Sequence, residues 1–393
     1  MSFRNALIRI AADVIFLVRK GSCTRNDLKI LVFSGTAGKT LARLAVRHAL
    51  SQSGRTVIAL PYGYTNELGI VLALLGIEEP IRLHSLRGLF RVLTGTAPKD
   101  AYVCIELGAD WRSDTTWFTD RLAPHMVFLT DLDTVEWARP LRDILEDKGR
   151  LLAALSPEGP VILGRANPSL ATLRSLARTS ASDVRLVEFD FSDREVEILE
   201  GDSTRAVFRP RHGSFIPAHR EALGHAITCL LILTNGTGGA QEVIDTYEPP
   251  SDRIRVSLQG GITVVSDTYK AVPYCVRSTL QYALSLPARR RIVVLSAMHP
   301  LLLDVQGHYA RIAELLQDFD ELYFVGPERA FGFLRAHEPR LQRVRPSGYA
   351  ALAEKIRMSA VQGTQVTIKA AGRYRLAPLA EQIRLQAERR AVL

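Results

Sequence analysis

Ile30-Leu31-Val32-Phe33-Ser34-Gly35-Thr36-Ala37-Gly38-Lys39-Thr40 is an apolar run that breaks into a glycine-bearing turn and continues from Leu41 as a helix-forming stretch. Strand, glycine turn and helix in that order make a phosphate-binding loop. Gly35 and Gly38 let backbone N–H groups turn toward phosphate oxygens, Lys39 brings a compact positive charge, and the Thr40 hydroxyl can hold Mg²⁺. The segment therefore points to a nucleoside triphosphate, with Gly35, Thr36, Ala37, Gly38, Lys39 and Thr40 as the phosphate-binding set. The first glycine of the usual eight-residue pattern is missing, and Phe33 stands at its position. A plain Gly-rich turn is the alternative, the weaker one because Lys-Thr and both flanking elements are in place.

With 393 residues, 47% of them hydrophobic, the chain can bury two ordinary cores, which makes two domains the default. The net charge of +9 comes mostly from dispersed arginine, which suits anionic small molecules at least as well as nucleic acid. No aromatic-interleaved basic patch speaks for nucleic acid. Cys23, Cys104, Cys229 and Cys275 are widely spaced and make neither a zinc pattern nor a disulfide framework, so a reducing cytosol and a cytoplasmic protein are expected. Residues 6 to 18 are apolar but interrupted by Arg9 and Asp13, too short and too charged to span a bilayer. No small-residue cleavage site of the secretory type follows. The favoured reading is an amphipathic helix over residues 1–28 that caps the first domain, with contact to a membrane surface as the weaker alternative.

Along the chain, strand-like runs at Thr56-Leu60, Tyr102-Glu106, Met126-Thr130 and Pro160-Leu163 alternate with helical patterns such as Leu141-Leu155. That alternation predicts an α/β fold with a parallel-rich sheet covered on both faces. A weaker stretch lies between Arg185 and Phe215, and a long apolar helix is expected from His219 to Leu233, ending at Asn235-Gly236. Tyr247-Glu248-Pro249-Pro250-Ser251 reads as a linker, because two prolines end the preceding helix and stiffen the chain. Beyond it come strand-like Ile262-Ser266, a helix near Tyr274-Leu286, then Arg291-Ala297, Leu322-Val325 and Gln365-Lys369, with a terminal helix. The expected division is a central ATP-binding domain over 29–247 and a smaller α/β domain over 248–393.

Further motifs line up with the phosphate loop in order and spacing from about residue 30 to the C-terminus. Gly35-Thr36-Ala37-Gly38-Lys39-Thr40 is similar to a GTxGKT loop, and Asn66-Glu67-Leu68-Gly69-Ile70 to an NNE-I-G segment. Ile105-Glu106-Leu107-Gly108-Ala109 matches an E-L-G-A strand end, and Asp147-Lys148-Gly149 an A-K-G-E motif. In the second domain Asp252-Arg253 looks like a P-G-R start, Asp267-Thr268-Tyr269-Lys270-Ala271-Val272-Pro273 like D-S-Y-N-A-N-P, and Arg291 to Met298 like the run into V-L-G-D-M. Each alone is weak, but their colinearity resembles the Mur ligase family, and within it the branch that adds D-alanyl-D-alanine in peptidoglycan synthesis.

The resemblance implies a reaction. A substrate carboxylate attacks the γ-phosphate of ATP to give an acyl phosphate, and an amine then displaces phosphate to form an amide, with ADP as the nucleotide product. Catalysis of this kind is mainly positioning and charge neutralisation. Lys39 and Mg²⁺ on Thr40 would stabilise the β/γ-phosphates, and Glu106, at the carboxyl end of a strand, would be a metal ligand, with a capping or salt-bridged acid as its plainer alternative. The family's counterpart of Lys148 is carbamylated, which turns a cation into an anion able to ligate a second Mg²⁺. A surface lysine on an amphipathic helix carrying Asp143, Glu146 and Asp147 is the alternative there. Arg253 and Asp267 would reach the phosphates and ribose from the second domain, so that closure completes the site. Asn66, Tyr269, Lys270 and Lys369 fall at the family's substrate-binding positions.

The departures from the pattern are informative. The family's metal-site histidine has no counterpart in Asp131-Leu132-Asp133-Thr134-Val135-Glu136, where Asp131, Asp133 or Glu136 offers carboxylate oxygen in its place. The H-N-x-x-N pattern that contacts adenine survives only as His219, with Arg220 and Leu223 at the asparagine positions. Lys270 and Val272 replace two further asparagines, and Lys369-Ala370-Ala371-Gly372-Arg373 departs from the K-G-S-R end that helps bind the amine. The phosphate loop begins at Gly35, which leaves no room before it for the family's UDP-sugar-binding domain. The expectation is a ligase that joins a non-UDP carboxylic acid to an amine or amino acid. Two alternatives stand beside it: a nucleotide-binding partner subunit that has lost ligation, and a P-loop kinase or NTPase.

Overall fold

The computed structural model describes residues 3–35, 38–59, 66–79, 85–107, 112–130, 141–165, 167, 170–180, 185–191, 195–200, 203–209, 217–234, 236, 238–250, 253–299 and 304–391. They divide into two compact units, one running to Tyr247 and the other from Glu248 onward.

The first unit is built on eight strands: β1 (Lys29–Ser34), β2 (Val57–Ala59), β3 (Tyr102–Leu107), β4 (Met126–Leu129), β5 (Pro160–Gly164), β6 (Arg185–Phe191), β7 (Val196–Glu200) and β8 (Ser203–Phe208). They lie in the order β2-β3-β1-β4-β5-β6-β7-β8. Pairing is parallel from β2 through β6 and antiparallel from β6 to β8. Alternate side chains of β1 go to opposite faces, as a pleated strand requires. Ile30 and Val32 join one apolar core with Val103, Ile105, Val127 and Leu129, while Leu31 and Phe33 join the other with Cys104 and Phe128. Such double-sided burial is the mark of a parallel sheet covered by helices. The helices Lys39–Gln52 and Pro217–Thr234 cover one face, and Arg112–Thr119, Leu141–Ala153 and Leu170–Ser180 pack on the other.

The stretch from Arg185 that reads weakly in sequence is the antiparallel end of this sheet. Its strands carry charges on their outer faces, and these are absorbed by cross-strand pairs such as Arg185–Glu200 at 2.7 Å and Arg205–Glu200 at 3.1 Å. Alternation of charge with apolar residues therefore hides three strands that a parallel-strand search passes over.

The second unit holds β9 (Arg255–Gln259), β10 (Ile262–Asp267), β11 (Arg290–Ser296), β12 (Glu321–Val325), β13 (Gln342–Arg343) and β14 (Thr364–Lys369). The sheet order is β13-β12-β11-β14-β10-β9, parallel except for the β9–β10 hairpin. Gly260 and Gly261 both have positive φ and form that hairpin's two-residue turn, the conformation a tight twisted turn demands. Helices Pro273–Ser285, Val305–Leu316, Glu328–Arg335, Tyr349–Ser359 and Ala377–Ala391 flank the sheet, the first of them with proline at its first turn. Sequence periodicity locates the first and last of these five helices and misses the middle three. All four cysteines are free, and three of them are buried.

Candidate functional site

Register determines what meets at the carboxyl edge of the first sheet. Phe33 lies opposite Glu106 on β3, and Ser34 lies opposite Leu129 on β4, so the loop that leaves β1 passes between the ends of its two neighbours. From β1 the chain goes to β2 on one side and later crosses to β4 on the other, which is the reversal of strand order where open α/β sheets place their ligands.

Gly35 and Gly38 adopt φ of +144° and +83°. A Cβ on Gly35 would stand 2.2 Å from the Thr130 hydroxyl, and one on Gly38 would stand 3.3 Å from a Glu221 carboxylate oxygen. The glycines are thus needed for both backbone conformation and close approach. Gly38 caps the helix Lys39–Gln52, which directs the helix's N-terminal amides and the positive end of its dipole to the loop. Lys39 Nζ donates to the Gly35 carbonyl at 2.6 Å, folding the side chain over the loop. Thr36 and Ala37, between these residues, lie outside the described residues.

Around the loop stands a buried set of charges. Thr40 Oγ1 donates to Glu106 Oε2 at 3.1 Å, and Arg43 Nε donates to Glu106 Oε1 at 2.5 Å. Arg43 and Glu106 are almost wholly excluded from solvent, with side-chain exposures of 4% and 7%. Arg43 is one helical turn beyond Lys39, and sequence reading passes over it as one more arginine on an amphipathic helix. Its signal was the apolar company of Ala42, Ala45 and Val46, which are buried with it. Lys148 is no surface residue: it is 1% exposed, and its Nζ donates to Ser34 Oγ at 2.6 Å. The helix Leu141–Ala153 thus inserts a lysine beside the root of the phosphate loop. Asp147 is buried next to it in sequence.

The structure therefore brings Gly35, Gly38, Lys39, Thr40, Glu106 and Lys148 to one edge. The donor set fits a nucleotide phosphate with a hard cation in part: Thr40 hydroxyl and Glu106 carboxylate oxygen are ligands of the kind Mg²⁺ prefers. As an amine, Lys148 offers no lone pair to a metal while protonated, and a carbamate on its nitrogen would supply one. Among the described residues no group of three or more His, Cys, Asp or Glu side chains is placed to hold a metal ion. Asp131, Asp133 and Glu136, the candidates for replacing a metal-site histidine, lie outside the described residues, as do Gly108 and Ala109. Asn66 caps the helix Glu67–Leu74, its Oδ1 accepting the Gly69 N–H at 3.0 Å, so that oxygen is committed to the helix start.

In the second unit, Asp267 and Lys369 are direct neighbours across the parallel pair β10–β14. The Lys369 ammonium, fully buried, pairs with Asp267 Oδ2, which also accepts from Thr279 Oγ1 at 3.0 Å. The Arg253 guanidinium lies 3.5 Å from the centroid of the Tyr269 ring, a cation–π stack that holds both. Tyr269 O accepts from Gly372 N at 2.8 Å, and Met298 O accepts from Arg373 Nη2 at 2.8 Å, so the loops after β10, β11 and β14 are laced together. Lys270 is half-buried in the first of these loops. Asp252 lies outside the described residues.

An eight-stranded sheet with a glycine turn after β1, followed by a parallel-rich second sheet, is an architecture found in solved structures. The chain is similar to the MurF ligase of Thermotoga maritima in complex with ADP, with a TM-score of 0.74 and 15% identity, over 98% of this chain and 85% of that one. It is similar to MurF of Acinetobacter baumannii with a TM-score of 0.71 and 14% identity, over 95% and 79%. It also resembles the folylpolyglutamate synthase of Mycobacterium tuberculosis complexed with ADP, with a TM-score of 0.66 and 14% identity, over 96% and 94%. The chain has the Mur ligase fold. No family model and no curated protein matches the sequence.

Proposed function

We propose that the protein is an ATP- and Mg²⁺-dependent ligase that joins a carboxylic acid without a UDP group to an amine or amino acid and releases ADP. The observation that carries this reading is the convergence of the Gly35–Thr40 loop, Glu106 and the buried Lys148 at one strand edge, on a fold shared with ligases. Fold likeness alone assigns no chemistry, so the weight rests on the site.

In the proposed reaction a carboxylate oxygen of the acid attacks the γ-phosphorus, the bond to ADP breaks, and an acyl phosphate forms. The amine nitrogen then attacks the acyl carbon, inorganic phosphate leaves, and the nitrogen loses a proton. Lys39 and the loop N–H groups hold the phosphates, Thr40 and Glu106 hold Mg²⁺, and a carbamylated Lys148 holds a second metal ion. Bound Mg²⁺ neutralises charge on the transferring phosphoryl group. Arg253 and Asp267 serve the nucleotide, and Asn66, Tyr269, Lys270 and Lys369 serve the acid and amine, Lys369 through its pairing with Asp267.

The test is ADP formation with panels of acids and amines, including UDP-muramoyl tripeptide with D-alanyl-D-alanine, and products read by mass. ADP release that needs both an acid and an amine, abolished in Lys39→Ala, is the expected result. Lys148→Ala is expected to be nearly inactive and partly rescued by small carboxylic acids. Efficient use of the muramoyl substrate would return the protein to cell-wall synthesis. The Arg43–Glu106 pair favours one second reading, a nucleotide-binding subunit without ligation, because it engages a carboxylate assigned to metal. That reading predicts nucleotide binding with no acid- and amine-dependent ADP release.

A further inference from the structure

Two helices of the first unit carry apolar rows that no part of the nucleotide site uses. On Phe3–Val18 the exposed residues are Leu7, Ile10, Val14, Leu17 and Val18, a spacing that keeps them on one helical face. Ala12 and Phe16 on the opposite side are buried, Phe16 edge-on to Trp117. On Leu86–Thr94 the exposed apolar residues are Leu86, Leu89, Phe90 and Leu93, with Leu86 at 88% and Phe90 at 66% exposure, while Gly88 and Val92 face inward. Ala12, Phe16 and Val92 belong to the same apolar core, so both helices cover one face of the sheet and turn their exposed rows away from it.

The rows are neighbours. Arg19, just past the first helix, donates from Nη2 to the carbonyl of Gly95, which caps the second, at 2.7 Å. Arg25 adds a bond from Nη1 to Ala97 O at 2.7 Å. Charge on the rows' own helices is mostly positive, and the exposed Glu79 beside them is engaged by Arg91 at 2.9 Å. Asp13, the acid of Phe3–Val18, points inward and accepts from Trp117 Nε1 at 2.7 Å and Arg121 Nη2 at 3.0 Å. Leu86–Thr94 has no acid at all. Lys20 and Arg87, both exposed, flank the rows, and neither is in an ion pair among the described residues.

We propose that this face docks on the surface of a bilayer rich in anionic phospholipid, with both helices lying in the interface. Two short apolar rows bordered by cations match the layered chemistry of that surface, acyl chain beneath and phosphate above. A second copy of the chain is the poorer occupant, because a symmetric contact would bring Lys20 and Arg87 against the same cations, while the exposed acid beside them, Glu79, is already engaged by Arg91. Among the described residues no helix is long and apolar enough to cross a membrane, so the contact is a peripheral one. Sequence alone favours a helix that caps the first domain. The cap exists in Ala12 and Phe16, yet it leaves the helix's outer row uncovered.

The experiment is flotation of the full chain with phosphatidylcholine vesicles and with vesicles half phosphatidylglycerol, at low and high salt. Strong partition onto the anionic vesicles, weakened by salt and near absent on the neutral ones, is expected. Ile10→Glu with Phe90→Glu should reduce partition to the neutral-vesicle level while leaving the melting curve unchanged. Lys20→Ala with Arg87→Ala should weaken it by about 25-fold, near fivefold for each cation lost at the surface. No flotation on anionic vesicles overturns the proposal, as does undiminished binding of either variant. A dimer in sedimentation that Ile10→Glu with Phe90→Glu disperses, without vesicle binding, would give the face to a second copy.

Discussion

Replacing Arg43 by methionine tests whether Glu106 depends on an internal cation. The side chains are 4% and 7% exposed and their closest approach is 2.5 Å, so water cannot substitute for the lost donor. Arg43→Met leaves the Glu106 carboxylate with the Thr40 hydroxyl at 3.1 Å but without its cation, and removing one member of a buried pair costs about 3 to 5 kcal/mol. Glu106→Gln removes the negative charge facing the guanidinium and should also destabilise the unit. The double variant removes both charges together and should fall within about 1 kcal/mol of wild type, since a buried pair is often close to neutral against uncharged replacements. Trp117 is fully buried in the core of the first unit, so urea unfolding followed by tryptophan fluorescence reads the unit in question. In melting experiments each single variant should drop by roughly 6 to 20 °C, at about 2 to 4 °C per kcal/mol for a unit of this size. The reasoning is refuted if Arg43→Met costs less than about 1 kcal/mol, the range of an exposed pair, or if the two single effects simply add.

Gly35→Ala would force a Cβ to within 2.2 Å of the Thr130 hydroxyl at φ +144°, so ATP affinity should fall at least tenfold by calorimetry even where the fold survives, an estimate of about 1.4 kcal/mol or more. Lys369→Met leaves Asp267 and the Thr279 hydroxyl without the ammonium, and the second unit should lose about 3 kcal/mol or more, with Asp267→Asn restoring most of it in thermal melts. His125 Nδ1 accepts the Ile30 N–H at 3.1 Å and can do so only unprotonated. Burial, and then Lys29, hold its pKa below the ordinary histidine value. The unfolded chain therefore takes up the proton first, and stability is lost as pH falls through about 6.5. Melting temperature measured from pH 8 to 5 should show that decline, and His125→Asn, whose amide oxygen can still accept, should flatten it.

The parallel part of the first sheet is legible because its strands are continuous apolar runs that end in glycine turns or helix starts, as at Phe33-Ser34-Gly35. Glu106 is legible as an acid at such a strand end. The antiparallel strands after Arg185 are not, because their charges read as loop until Glu200 is seen opposite Arg185. β9 is legible only through Gln259-Gly260-Gly261-Ile262, a two-glycine turn between alternating residues, because its own run is too short and polar to read as a strand by periodicity. Lys148 shows the opposite failure. With Asp143, Glu146 and Asp147 nearby it looks like part of a solvated face, and only the placement of its helix against the end of β1 reveals that the lysine is inside. Burial of a charge is a tertiary fact, invisible to periodicity.

Both units handle charge at strand ends in the same way, and the consequence bears on specificity. Glu106 is opposed by Arg43 and Asp267 by Lys369, each pair desolvated at the carboxyl edge of a parallel sheet. In the second unit the pair also fixes register: Asp267 and Lys369 are cross-strand partners, and a slip of β14 by one residue would turn Lys369 to the opposite face, away from its acid. A cation committed in this way is a poor direct anchor for an incoming anion, because recruiting it would leave the largely buried Asp267 carboxylate without its counter-charge. Lys369 therefore holds Asp267 in one rotamer. The Tyr269 backbone, tied to Gly372, and the Arg253–Tyr269 stack then form the more adaptable part of that edge. Under the proposed ligation, substitutions there should alter which acid or amine is accepted, whereas substitutions in the paired charges should alter whether the unit folds.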